Sequence, residues 1–225
     1  MIFSQLLKSE RKLLIVSLPD NTFEFARAAL ENGADAVKLH VNVRHRVTGK
    51  LHATWDGIKE TVGRIKSKFD PCMGIVPGAE NMSSAAEIEE MEKSGISFFD
   101  VYVDYAPLYL LRNGMSKMLA LNYTYDPSMA GNLKSLGADC IEVSTVNPEK
   151  YGSSLTLMDL LRYREVIERA GLPCFLPTQK KVMPEEVREL FEIGFRGIII
   201  GPIVTGTDIE SFSSVVKSFS EAIRY

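Results

Sequence analysis

The 225 residues carry 26 Lys and Arg against 29 Asp and Glu, and the net charge of −3 argues against nucleic acid or an anionic membrane as partner. Hydrophobic residues make up 45% and charged residues 24%, an ordinary globular composition, and the length fits one large domain over 1–225. Cys72, Cys140 and Cys174 lie too far apart for a zinc site or a disulfide framework. No apolar run reaches membrane length, and the charges in MIFSQLLKSERKLL come too early for a signal peptide, so a cytoplasmic protein is expected.

Taken in order, the chain predicts strands near 12–17, 36–41, 72–77, 98–103, 117–122, 139–144, 173–177 and 197–201. Helices are expected around 21–32, 56–68, 83–93, 107–113, 127–136, 155–170, 184–193 and 211–223. One pattern recurs: an amphipathic segment, a glycine, two or three small or polar residues, then an apolar run. It appears as LENGADAVKL (30–39), EKSGISFFDVYV (92–103), KSLGADCIEV (134–143), ERAGLPCFL (168–176) and FEIGFRGIII (191–200). Each glycine sits where a helix end needs a left-handed residue before the next strand, so the repeat is the αβ half of a βαβ unit. Eight strands alternating with helices predict an α/β fold, a single-domain (β/α)8 TIM barrel. An open doubly wound sheet is the runner-up, but the first strand leads into Leu18-Pro19-Asp20-Asn21 rather than a GxGxxG turn. The long connection 42–55, NVRHRVTGKLHATW, breaks the pattern and reads as a lid or binding loop.

Alternation along the strands selects candidates for chemistry, because barrel sites gather at the C-terminal ends of strands. Lys38, His40 and Asn42 share one face of the second strand, and Cys140, Glu142 and Ser144 one face of the sixth. Asp100, Tyr102 and Asp104 share a face of the fourth, and Asn122 ends the fifth. Apolar faces must meet the helices, so the polar faces point inward. Lys38, His40, Asp104 and Glu142 are the candidate catalytic set. Asp100 is expected deeper or at the opposite end, and is left out. A lysine–carboxylate pair that merely fills the barrel fits Lys38 and Glu142 equally well, as a core histidine fits His40. Asn42, Arg44, Asn122, Thr178 and Gln179 are candidate substrate contacts. Arg44, Arg46 and Lys50 form a basic run that is either solvated or closes on an anionic substrate.

The stretch 197–212, GIIIGPIVTGTDIESF, reads as a buried strand followed by a glycine-containing turn and a helix. Backbone N–H groups at such a turn favour an anion, so Gly201, Pro202, Thr205, Gly206 and Thr207, with Lys180 for charge, are the candidate phosphate site. No His, Asp or Glu spacing suggests a metal, and no cofactor is expected.

With these residues in view, the chain resembles the ribulose-phosphate-binding barrel superfamily, and within it the N-acetylmannosamine-6-phosphate 2-epimerase family. LLIVS (13–17), GADAVKLH (33–40), MGIV (73–76), KSLGAD (134–139) and IIIGPIVT (198–205) carry the likeness, with Lys38 where that family has an arginine. The resemblance implies the barrel and a phosphate site on strand eight. The family's proton-transferring lysine falls at Pro77, and its catalytic glutamate falls in Leu176-Pro177-Thr178-Gln179, which hold no carboxylate. That argues against the family's own epimerase reaction. Aldolases of the superfamily use a Schiff-base lysine, a role open to Lys38 if burial lowers its pKa.

Two functions follow as expectations. One is an isomerase, epimerase or lyase moving a proton at carbon of a small phosphorylated metabolite. The other is a non-catalytic phosphometabolite-binding barrel that has lost that chemistry. A homo-oligomer is left open. A third, scaffolding role would need an exposed apolar helix face, for which Trp55, Phe212 and Phe219 are too scattered.

Overall fold

The structure, a computed structural model, describes residues 2–224. Eight parallel strands close into a barrel in sequence order: β1 (Leu13–Ser17), β2 (Ala36–His40), β3 (Cys72–Val76), β4 (Phe98–Tyr102), β5 (Ser116–Leu121), β6 (Cys140–Val143), β7 (Cys174–Pro177) and β8 (Gly197–Ile200). The helices are α1 (Phe3–Lys8), α2 (Phe23–Glu31), α3 (Trp55–Phe69), α4 (Ala85–Lys93), α5 (Leu157–Ala170), α6 (Val187–Glu192), α7 (Pro202–Thr205) and α8 (Ile209–Arg224). This is the expected (β/α)8 barrel. None of its helices, among the described residues, is long and apolar enough to cross a membrane.

The five repeat glycines, Gly33, Gly95, Gly137, Gly171 and Gly194, all have positive φ, between 58° and 116°. A Cβ is strained in that conformation, so glycine at these junctions reverses the chain from helix into strand. Helix starts are fixed locally as well. The Thr22 hydroxyl accepts from the Phe25 N–H, and Ser84 with Glu87 and Thr156 with Asp159 form reciprocal capping boxes.

The helices expected at 107–113 and 127–136 are instead 3-10 segments, Leu108–Arg112 and Pro127–Leu136. Gly131, Asn132 and two serines weaken helix formation in the second. There a Cβ on Gly131 would lie 2.9 Å from the Arg169 carbonyl oxygen of α5, so the segment is seated by packing rather than by propensity. Trp55, Phe212 and Phe219 are buried.

Strand alternation sorts the core into two shells. Val37, Leu39, Phe99, Val101, Ile141 and Val143 face the helices. Inside the barrel, Leu13, Ile15, Ala36, Cys72, Phe98, Met118, Cys140, Phe175 and Ile199 form a separate apolar cluster with Phe3 and Leu6 of α1. Helix α1, too short to show in the sequence periodicity, therefore plugs the N-terminal end, and the Phe3 ring stacks on Phe98 with centroids 4.1 Å apart. Space for Phe98 comes from β3, where a Cβ on Gly74 would lie 2.1 Å from that ring. Above this layer the lining turns polar.

The strands are staggered as a closed barrel requires. Lys38 is in register with Gly74, and Gly74 with Phe98, yet Lys38 bonds Asp100, two residues further along β4. Likewise Asp100 is in register with Met118 and Met118 with Cys140, while the group beside Asp100 across Lys38 is Glu142. Alternate strands β2, β4 and β6 thus place Lys38, Asp100 and Glu142 in one layer.

Candidate active site

A cavity of about 440 Å³ opens at the C-terminal ends of the strands. Lys38, Asp100 and Glu142 line its deepest part and are 5%, 2% and 6% exposed. The Lys38 ammonium donates to Asp100 Oδ2 and, at 2.7 Å, to Glu142 Oε2. The Ser144 hydroxyl donates to Glu142 Oε1, and Asp100 Oδ1 is buried with no hydrogen-bond partner.

Burial works against every charge here, and the neighbours decide who keeps one. For Lys38 the desolvation is outweighed by the two flanking carboxylates, so its pKa is raised and it stays an ammonium. For Glu142 burial is outweighed by Lys38 and by hydrogen bonds, holding its pKa at about 2. For Asp100 burial and the Glu142 charge act together and push its pKa well up. The two carboxyls, on either side of one fixed cation, are pushed in opposite directions. A raised pKa removes the free amine that a Schiff-base role for Lys38 would require.

His40 stands beside this layer, its Nε2 3.2 Å from the Ser17 hydroxyl and its backbone bonded to the Asn21 side chain. The connection 42–55 folds back as a hairpin: Arg44 bridges to Leu51, and the His45 N–H bonds the Lys50 carbonyl at 2.8 Å. It thereby brings all three histidines together. The His40 ring stacks on His52 at 5.0 Å and meets His45 edge-on at 5.4 Å. Burial, then the neighbouring rings and Lys38, lower the pKa of His40; burial first also takes His45 to about 4. His52 is likewise lowered by burial, with Lys50 adding to and Asp20 opposing the effect. The rings are therefore neutral near pH 7, and His40 Nδ1 and His52 Nε2 are buried without partners. Among the described residues no group of three or more His, Cys, Asp or Glu is arranged to hold a metal ion.

Of the other sequence candidates, Arg44, Thr178, Gln179, Gly201 and Pro202 line the cavity. Gln179 is locked in place, donating to the Tyr151 hydroxyl at 2.6 Å and accepting from the Val146 N–H at 3.1 Å. Several candidates end elsewhere. Asp104 is exposed and accepts from Asn122 at 2.7 Å, both outside the cavity wall, because β4 passes straight into a 3-10 turn at Val103. Asn42 turns to the Ser83 hydroxyl. Lys180 is 4% exposed and held by Ser153 and, at 3.2 Å, by Asp159, away from the wall. Thr207 is exposed, and the buried Thr205 hydroxyl donates to the Gly206 carbonyl.

Four N–H groups of the proposed phosphate turn are already bonded within the protein. The Gly201 N–H donates to Thr178 Oγ1, the Val204 and Thr205 N–H groups to the Gly201 carbonyl, and the Gly206 N–H to the Pro202 carbonyl. At the start of α8 the Asp208 carboxylate already accepts from the Glu210 and Ser211 N–H groups. Asp100, Tyr102 and Tyr151 join the wall without having been selected from sequence, and Arg46 of the basic run joins it too. Alternation alone signalled Asp100, which shares a face with Tyr102.

No family model matches the sequence, and no curated protein matches it. Solved structures do match its fold. Tryptophan synthase from Mycobacterium tuberculosis superposes with a TM-score of 0.75 at 12% identity, covering 99% of this chain and 96% of that one. A 3-hexulose-6-phosphate synthase gives 0.68 at 15% identity over 93% and 99%. Thiamine phosphate pyrophosphorylase from Pyrococcus furiosus gives 0.66 at 14% over 96% of each chain. At these identities the likeness is one of fold.

Proposed function

We propose that this barrel is an enzyme that moves a proton at carbon of a small phosphorylated metabolite, as an isomerase or epimerase does. The observation that carries the reading is the Lys38–Asp100–Glu142 layer at the base of an open cavity, whose two carboxyls have pKa values pushed in opposite directions. A structural ion pair needs one carboxylate; a second, with its pKa pushed up and a buried unpartnered oxygen, suits an acid catalyst. Asp100 donates its proton to a substrate carbonyl oxygen as neutral His40 takes the proton from the adjacent carbon, giving an enediol. The Lys38 charge, already in place, faces the oxygen that gains electron density. Return of a proton to the neighbouring carbon or the opposite face completes an isomerisation or epimerisation.

Support for a phosphorylated substrate comes from the names of two fold neighbours, a hexulose-6-phosphate synthase and a thiamine phosphate pyrophosphorylase. The resemblance to N-acetylmannosamine-6-phosphate 2-epimerases points the same way, although Pro77 and the strand-seven exit at Thr178 stand where that family's reacting groups would be. Three buried free thiols suit a reducing cytoplasm. The second reading, a binding barrel without turnover, is favoured by those same two positions.

Thermal shift against a panel of sugar phosphates, with the unphosphorylated sugars as controls, tests binding. A ligand at 100 times its dissociation constant adds about 2.7 kcal/mol. Any compound that binds is then incubated in D2O and followed by NMR. Deuterium entering at carbon, lost in Asp100→Asn with binding retained, supports the enzyme. Binding with no exchange in the unaltered protein selects the second reading. Absence of any shift across the panel removes both.

A further inference from the structure

We propose that Arg46 holds the substrate's phosphate, its guanidinium supplying at the exit of β8 the positive charge that the Gly201–Thr207 turn lacks. This rests on the phosphorylated-substrate reading above and names the group that recognises the anion, a phosphomonoester dianion.

The charges of the cavity wall lead there by elimination. Lys38 is balanced by Glu142 and bonded to Asp100. The histidines are neutral. Lys180 is paired with Asp159 behind the wall. Arg44 donates across its own hairpin to the Gly49 carbonyl at 2.7 Å. Glu80, the remaining carboxylate of the wall, accepts from the Tyr105 hydroxyl. Arg46 alone among these wall cations has neither a carboxylate within ion-pair distance nor a carbonyl acceptor, among the described residues.

Its surroundings suit an anion receptor. The guanidinium lies 5.6 Å from the centroid of the Tyr102 ring, whose face favours a cation, and beside the Tyr151 phenol. It reaches from the main cavity into an adjoining groove formed with Tyr151, Gly152, Pro202 and Ile203, the residues immediately after β8. A planar guanidinium can meet two phosphate oxygens with parallel N–H bonds, geometry that a lysine cannot reproduce. Of the turn's N–H groups, those of Gly201, Val204, Thr205 and Gly206 are bonded internally, the turn carries no cation, and a carboxylate, Asp208, stands at the neighbouring helix start.

The test uses inorganic phosphate and glycerol 3-phosphate as probes, with glycerol as control, in equilibrium binding to the full chain. Arg46→Gln should weaken glycerol 3-phosphate about tenfold or more, the loss of one charge-assisted pair of hydrogen bonds. Arg46→Lys should recover part of it, and Thr207→Val should bind as the unaltered protein does. Arg46 is exposed, so melting temperature and circular dichroism should be unchanged in its variants. If Arg46→Gln binds glycerol 3-phosphate as the unaltered protein does, the inference fails and the functional reading stands. If the unaltered protein binds neither probe, both are overturned.

Discussion

Replacing Lys38 with methionine isolates the energetics of the buried layer. Methionine fills much of the volume but leaves Glu142, 6% exposed, ionised and facing apolar neighbours and Asp100. Removing one partner of a buried pair costs about 3–5 kcal/mol, because the remaining charge is stranded. For a chain of this length each kcal/mol is worth roughly 2–4 °C, so the melting temperature should fall by about 6–20 °C. The loss should be largely reversed in Lys38→Met/Glu142→Gln, which strands nothing, and the coupling between the two sites should be of order 1–3 kcal/mol. The pH dependence has a definite sign. In Lys38→Met the folded-state pKa of Glu142 moves above its unfolded value, so the deficit is greatest at neutral pH and shrinks as pH falls toward ~4. Urea titrations of the four proteins at pH 7 and pH 5 measure all of this. A loss below about 1 kcal/mol, or additive single and double variants, would mean that the ammonium and carboxylate are solvated independently, and the catalytic reading of the layer would fall with the pairing.

Two further outcomes follow from the packing. The three histidines have lowered folded-state pKa values, His45 to about 4, so below ~6.5 the unfolded chain binds more protons than the folded one. Stability should therefore rise with pH from about 4 to ~6.5 and level off above; His52→Phe should flatten that rise, and a slope unchanged in this variant counts against the cluster. Gly74→Ala should lose about 1–3 kcal/mol by forcing Phe98 aside, and Phe98→Leu in the same chain should recover part of it. No recovery in the double variant would show that backbone, not the ring, resists the methyl.

The fold was legible because its signals are local: a glycine after each amphipathic segment, then an apolar strand, repeated. The site was legible only in part. Alternation found Lys38 and Glu142, since facing inward depends on neighbours in sequence. Asp100 was set aside because counting along one strand ignores stagger, which raises each alternate strand by two residues and brings Asp100 level with Lys38. Lys180 and Asp104 read as free charges because their partners, Asp159 and Asn122, lie 21 and 18 residues away. The histidine cluster could not be seen from spacing, since it exists only once the hairpin folds back on β2.

The plug made by α1 has a kinetic corollary. With Phe3 and Phe98 sealing the lower end, the cavity is a cul-de-sac, and traffic has one doorway, past the 42–55 hairpin. Incoming and outgoing molecules must share it in turn. For the proposed reaction, product would then compete directly with substrate for the barrel, and a hairpin slow to yield would make departure, rather than proton movement, the ceiling on throughput.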